Sequence, residues 1–191
     1  ILIGMCDGAL VTNCRMIDTC QGEGLDENGE IQFFTAACWF WGSRNSTVQY
    51  CEIAGQKNYG DGMTVDFGSY SHNCTYQYIY SHDNMRFMCN NPNYSGHHGN
   101  TVRYCLSVND NGGRSSTAVG SAGEHELNFY NNTIINSAEF HLLNMYNAIV
   151  ANNIFVMQDG ATFAYDIDSA FKGNNISNNC YYNVMTPLID F

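Results

Sequence analysis

Two short stretches hold most of the ionisable side chains from which chemistry can be built. The first, Gln56-Lys-Asn-Tyr-Gly-Asp-Gly-Met-Thr-Val-Asp-Phe-Gly68, supplies Lys57, Tyr59, Asp61 and Asp66. The second, Ser81-His-Asp-Asn-Met-Arg86, supplies His82, Asp83 and Arg86, with Tyr70 and Tyr80 nearby in sequence. Only 13% of the chain is charged, so carboxylates, a histidine and cations gathered in this way mark a candidate site. Asp61, Asp66 and Asp83 suit cleavage of a glycosidic bond, which takes two carboxyl groups roughly 5 Å apart for retention or roughly 6.5–9.5 Å apart for inversion. His82 beside Asp83 suits a proton carrier with an orienting carboxylate, provided that the segment is a turn, since neighbours along a strand face opposite ways. Lys57, Tyr59, Tyr70, Tyr80 and Arg86 are expected to hold the substrate.

Positioning these groups falls to a repeat. With Tyr76 in Thr75-Tyr-Gln-Tyr-Ile79 as reference, the counterparts are Val11, Val48, Val102, Phe129, Val150 and Ile176. Successive intervals are 37, 28, 26, 27, 21 and 26 residues, a period that means stacked supersecondary units. Leucine-rich and helical repeats need apolar spacings that are missing here, whereas short β-rich runs broken by Gly, Asn, Ser and Asp read as strands and turns. Two positions after the reference stand Asn13, Tyr50, Tyr78, Tyr104, Asn131, Asn152 and Asn178; three after it stand Cys14, Cys51, Ile79, Cys105, Asn132, Asn153 and Asn179. Like residues therefore stack from unit to unit. Amide side chains in such columns hydrogen-bond along the stack, and small thiols fill a narrow interior. Within the strand that ends at Gly68, alternation turns Val65 and Phe67 inward and Thr64 and Asp66 outward. Phe33 to Trp41 is almost wholly apolar and is expected to pack on both faces, and Tyr165-Asp-Ile-Asp168 is expected to be a strand.

The apolar-x-Asn-Asn-x-apolar unit, from about Val11 to the end, resembles the rungs of right-handed parallel β-helix proteins of the pectate-lyase-like superfamily. The resemblance implies an all-β, right-handed parallel β-helix of about seven rungs occupying residues 1–191 as one domain. Many such proteins degrade or bind polysaccharides, so it also implies a polysaccharide or oligosaccharide partner and a secreted or cell-surface location. Hydrolysis by paired carboxylates is the first expectation. A polysaccharide lyase is the second, with calcium on several carboxylates and a Lys or Arg base, for which Lys57 near Asp61 fits and Arg86 and Arg103 are alternatives. A non-catalytic glycan-binding, adhesin or structural β-helix is the third. Asn58-Tyr-Gly-Asp61-Gly62 and Gly96-His-His-Gly99 are similar to two motifs of polygalacturonases, but that family's adjacent Asp pair and Arg-x-Lys are missing, so no role is carried over.

Seven Lys and Arg against 18 Asp and Glu give a net charge of −11, which repels a phosphate backbone and argues against nucleic acid. No run approaches the roughly 18 apolar residues of a membrane helix. Nine cysteines are an odd number and cannot all pair within the chain; they are expected to be mostly buried free thiols. The chain starts and stops without an amphipathic cap, so the expectation is that the remainder of a longer chain or another subunit covers the ends of the stack. The long first interval is expected to hold a polar loop, Gln21 to Glu30.

Overall fold

Polar corner residues at fixed offsets leave only short runs in which the backbone can stay extended, and the computed structural model of the chain is built of such runs. It describes residues 1–21, 28, 36–58, 62–90, 98–110, 116–119, 126–136, 140–143, 146–158, 163–165 and 173–184. Among these are nineteen strands and no helix, hence none long and apolar enough to cross a membrane. The fold is all-β, and all its strand pairings are parallel. Most of the Gln21 to Glu30 segment, Phe33 to Thr35, the Gly96-His97 part of the histidine loop and Asp166 to Asp168 lie outside the described residues, as do Tyr59 and Asp61.

Each strand pairs with its counterpart in the next repeat. A seven-stranded sheet runs from Leu2–Gly4 through Trp39–Trp41, Met63–Phe67 and Arg86–Asn90 to Phe163–Tyr165. A twelve-stranded sheet has two arms joined by the long strands Thr47–Ala54 and Thr75–His82. One arm continues through Thr101–Arg103 and Asn128–Tyr130, the other through Leu106–Val108 and Thr133–Asn136. The reference positions are in register: Val11 opposite Val48, Val48 opposite Tyr76, Tyr76 opposite Val102.

The two conserved offsets of the repeat have different structural causes. The first column, Asn13, Tyr50, Tyr78, Tyr104, Asn131, Asn152 and Asn178, has φ between 51° and 57° throughout. These residues make the corner between the two arms in the left-handed region, where Asn is tolerated and other side chains are strained. The second column turns inward. Its lower half is an amide ladder: Asn132 Oδ1 accepts the Cys105 N–H at 3.0 Å, Asn153 Oδ1 the Asn132 N–H at 2.9 Å and Asn179 Oδ1 the Asn153 N–H at 2.9 Å. Each amide also donates to a carbonyl of the repeat before, as Asn153 Nδ2 does to Phe129 O at 3.0 Å. The corner breaks the backbone ladder, and these side chains restore the missing bonds.

The upper half of that column holds Cys14, Cys51 and Cys105, whose thiols donate back to the carbonyl two residues earlier, at 3.3, 3.1 and 3.3 Å. Eight cysteines, Cys6, Cys14, Cys20, Cys38, Cys51, Cys74, Cys105 and Cys180, are free, and five of these are buried. Burial, ahead of all other causes, pushes the Cys38 and Cys105 thiols up to about 12, which leaves them protonated and unreactive at neutral pH. Aliphatic side chains such as Val48, Ile53, Val65 and Val102 fill much of the remaining core, together with a cluster of aromatic rings. Phe40 stacks on Phe67 at 6.1 Å with Tyr76 edge-on to both, and the Tyr76 hydroxyl, fully buried, donates to Cys38 O at 2.8 Å.

Two expectations from alternation need correction. Thr64 is fully buried rather than outward. Its hydroxyl meets Ser81 Oγ at 2.6 Å and accepts from Asn84 Nδ2 at 3.0 Å, so both faces of the strand are covered at that point. In Trp39–Trp41 only Phe40 is buried, while Trp41 is exposed. The expected packing on both faces therefore fails here, because a strand with one solvated face buries alternate residues.

Candidate functional site

The corner column brings three tyrosines to the surface. Tyr50 and Tyr78 stack at 4.9 Å with 5° between ring planes, and Tyr78 and Tyr104 at 5.1 Å with 6°. All three stay exposed, at 53%, 42% and 43%. The spacing follows from the sheet, since parallel neighbours sit about 4.8 Å apart. Backbone demand does not explain the residue type: four of the seven corner positions are Asn, which takes this conformation at less cost. A bulky residue there costs on the order of 1–2 kcal/mol, while a stacked pair returns about 0.5–1.5 kcal/mol. Strained, solvent-facing aromatic residues repeated three times are an observed outlier of the kind that marks a working surface.

Beside this ladder runs a second, polar one. Gln77 Nε2 donates to Gln49 Oε1 at 2.7 Å, Arg103 Nε to Gln77 Oε1 at 2.7 Å and Arg103 Nη1 to the Tyr130 hydroxyl at 2.9 Å. The Arg103 guanidinium also lies 5.9 Å from the Tyr104 ring centre. At the other end Tyr50 faces Asn13, whose short side chain leaves an open cleft of about 450 Å³ lined by Asn13, Arg15, Tyr50, Glu52, Tyr78 and Tyr80 among others.

The floor of the cleft leads to a charged chain. Arg15 Nε donates to Glu52 Oε2 at 2.6 Å, Glu52 Oε1 lies 3.3 Å from His82 Nε2, and His82 Nδ1 lies 2.7 Å from Asp83 Oδ2. Register accounts for the meeting: Arg15 pairs with Glu52, Glu52 with Tyr80 and Ala54 with His82. Asp83 has φ 56°, so the chain turns after His82 and the two neighbours share a side, which satisfies the condition set for this pair. Tyr80 packs on the His82 ring at 4.5 Å. Hydrogen bonds from Arg15 and then from His82 hold the Glu52 carboxyl below its usual range. Burial pulls His82 down, but the hydrogen bonds to Asp83 and Glu52 and the charges of both outweigh it, and the net shift is upward.

The other expected site residues lie elsewhere. Asp66 is on the seven-stranded sheet, where its carbonyl accepts from the Tyr76 hydroxyl at 3.1 Å. Asp83 directly follows His82, the last residue of a strand of the other sheet. Tyr70 occupies a different corner, with φ 58°, before the bridge residue His72. Lys57 is exposed beyond the corner at Gly55, its N–H on Cys20 O at 2.8 Å. Arg86, at 7% exposure, presents almost no surface to a polymer. Among the described residues no group of three or more His, Cys, Asp or Glu is arranged to hold a metal ion. Tyr50, Tyr78, Tyr104, Arg15 and Glu52 were not singled out as site residues. The repeated Tyr at the corner position, and the register that sets residue 15 against 52 and 52 against 80, were the signals available. No protein-family model, characterised protein or solved structure matches this chain, so its function is read from this face.

Proposed function

We propose that the chain is a right-handed parallel β-helix of the pectate-lyase-like kind that binds an extracellular polysaccharide along the Tyr50–Tyr78–Tyr104 face. The β-helix reading is supported by two parallel sheets in which strands pair one repeat apart, and by corner residues that recur in the left-handed region. The observation that carries the glycan reading is the tyrosine ladder itself. Ring edges and hydroxyls repeat at every strand along the stack, and the face of Tyr50 that borders the cleft takes the end sugar by stacking. The Gln49, Gln77 and Arg103 amides and guanidinium alongside serve its hydroxyls. Phosphate polymers are disfavoured by the net charge of −11.

Hydrolysis is the second reading, favoured by the Glu52–His82–Asp83 chain, which joins the cleft through Glu52. The imidazole fills the gap between the two carboxylates, which removes the space that a paired-carboxylate mechanism keeps for water. In this arrangement His82, held by Asp83 and shifted toward its protonated form, is the proton donor, and Glu52, kept ionised by Arg15, is the carboxylate that attracts the proton of a water or stabilises the developing cation. Incubation with a panel of neutral and acidic polysaccharides is expected to show saturable binding and new reducing ends, with His82→Gln lowering their release by about 100-fold. Binding without reducing ends would leave a glycan-binding protein. Ultraviolet-absorbing unsaturated ends would instead identify a lyase.

A further inference from the structure

Tyr50, Tyr78 and Tyr104 are also placed to react with one another. They stand at matching positions of consecutive repeats, between the in-register pairs Gln49–Gln77, Cys51–Ile79 and Gln77–Arg103. The side chains therefore leave the backbone in the same direction, and the nearly parallel rings, with centres 4.9 and 5.1 Å apart, bring like atoms of neighbouring phenols together. All three are exposed, so a soluble oxidant reaches them. The stack ends at Tyr130, whose ring meets Tyr104 edge-on at 83° and whose hydroxyl is held by Arg103 Nη1 at 2.9 Å. Among the described residues the other exposed tyrosines are placed differently. Tyr80 packs on the His82 ring at 4.5 Å, and neither Tyr70 nor Tyr182 has a tyrosine ring stacked on it.

We propose that this stack is a site of oxidative modification, where Tyr50 and Tyr78, or Tyr78 and Tyr104, are joined as dityrosine by a peroxidase with hydrogen peroxide. Each phenol gives up its hydroxyl hydrogen atom, and a carbon–carbon bond forms between the ring carbons ortho to the two oxygens. The hydrogens on those carbons then move to the oxygens, which restores both hydroxyls. The two hydrogen atoms removed reduce one hydrogen peroxide to two waters. Free phenoxyl rings must meet by diffusion, whereas here the partner is already held alongside, and that proximity makes the step unimolecular. A net charge of −11 keeps separate chains apart, which further favours the link within one chain. Surface side chains change rotamer freely, so the rings can turn to close the new bond. The proposal does not depend on what the face binds.

Oxidation of the dilute whole chain with a haem peroxidase and hydrogen peroxide tests this, read by dityrosine fluorescence of the monomer fraction and by mass mapping of linked peptides. The expected product joins Tyr78 to Tyr50 or to Tyr104 and lacks two hydrogen atoms. Tyr78→Phe keeps a ring at the centre of the stack but removes the shared phenol, and is expected to lower the monomer's dityrosine by at least about tenfold. Tyr50→Phe is expected to leave only the Tyr78–Tyr104 link, and Tyr70→Phe and Tyr182→Phe to react as the parent does. No dityrosine within the monomer overturns the proposal. So do an undiminished yield in a folded Tyr78→Phe variant and links that map to Tyr70, Tyr80 or Tyr182 instead.

Discussion

Asp110→Asn is expected to be more stable than the parent at pH 8, and that advantage shrinks by about 2–3 kcal/mol as the pH falls to 4. Asp110 is fully buried. Its carboxylate accepts from Ser81 Oγ at 2.5 Å, Ser107 Oγ at 2.6 Å and Asn84 Nδ2 at 2.8 Å, and Oδ1 also takes the Asn84 N–H at 3.1 Å. Burial raises its pKa from 3.8 to about 6, against the lowering effect of those hydrogen bonds. The folded state thus binds this proton more tightly than the unfolded chain does. The resulting stabilisation is complete below about 3.8 and is lost as the pH rises through about 6. Asparagine suits the site, because the same inner column holds Asn84 and Asn136, whose amide oxygens accept the Gln56 and Asp110 N–H groups at 3.0 and 3.1 Å. Urea unfolding of both proteins from pH 4 to pH 8 measures the difference. Stability curves that stay parallel over that range contradict a titrating Asp110.

The largest loss of stability from a single polar side chain is expected at Asn153. Its Oδ1 takes both the N–H and the Nδ2 of Asn132, at 2.9 and 3.1 Å, and its Nδ2 reaches Phe129 O at 3.0 Å and Asn179 Oδ1 at 3.0 Å. Asn153→Ala leaves a buried N–H and a buried carbonyl unpaired, at about 1–3 kcal/mol each. With the small cavity, the sum is about 4 kcal/mol, much of the total stability of an ordinary domain. Its neighbour Asn152, at φ 56° and exposed, serves only the corner, so Asn152→Gly is expected to cost about 1 kcal/mol or less. The pair of urea midpoints separates the two columns. Equal losses at both positions contradict the division into corner and ladder.

Those two columns were legible in the sequence because each answers to one local demand repeated at every unit. A left-handed corner selects Asn, and a broken backbone ladder selects a side chain that can replace it. The register of the parallel strands followed directly from aligning them. The fate of Thr64 was not legible, since alternation assigns outward residues to solvent only where one sheet face is free, and Ser81 and Asn84 cover that face. The site was half legible. His82 and Asp83 are neighbours in sequence, and the turn at Asp83 makes them neighbours in space. Glu52 and Arg15 come from the two preceding repeats, and only carrying the register outward as well as inward brings them to His82. Asp66 and Asp83 were grouped because Asp83 lies one repeat on; Asp66 stands in a strand of the seven-stranded sheet, and Asp83 follows a strand of the other.

The tyrosine ladder is the centre of the functional account, and the corner column itself supplies the least disruptive substitution. Tyr50→Asn and Tyr78→Asn place at each corner the residue already found at Asn13, Asn131, Asn152 and Asn178, so the backbone keeps its conformation while the ring is lost. The decisive measurement is the affinity of a polysaccharide that binds the parent, compared with the two single variants, the double variant and Asp66→Asn on the other sheet. Each tyrosine variant is expected to bind at least about tenfold more weakly, the double variant not measurably, and Asp66→Asn as the parent does. Undiminished binding by a folded double variant, or binding abolished by Asp66→Asn alone, would contradict a glycan site on this face.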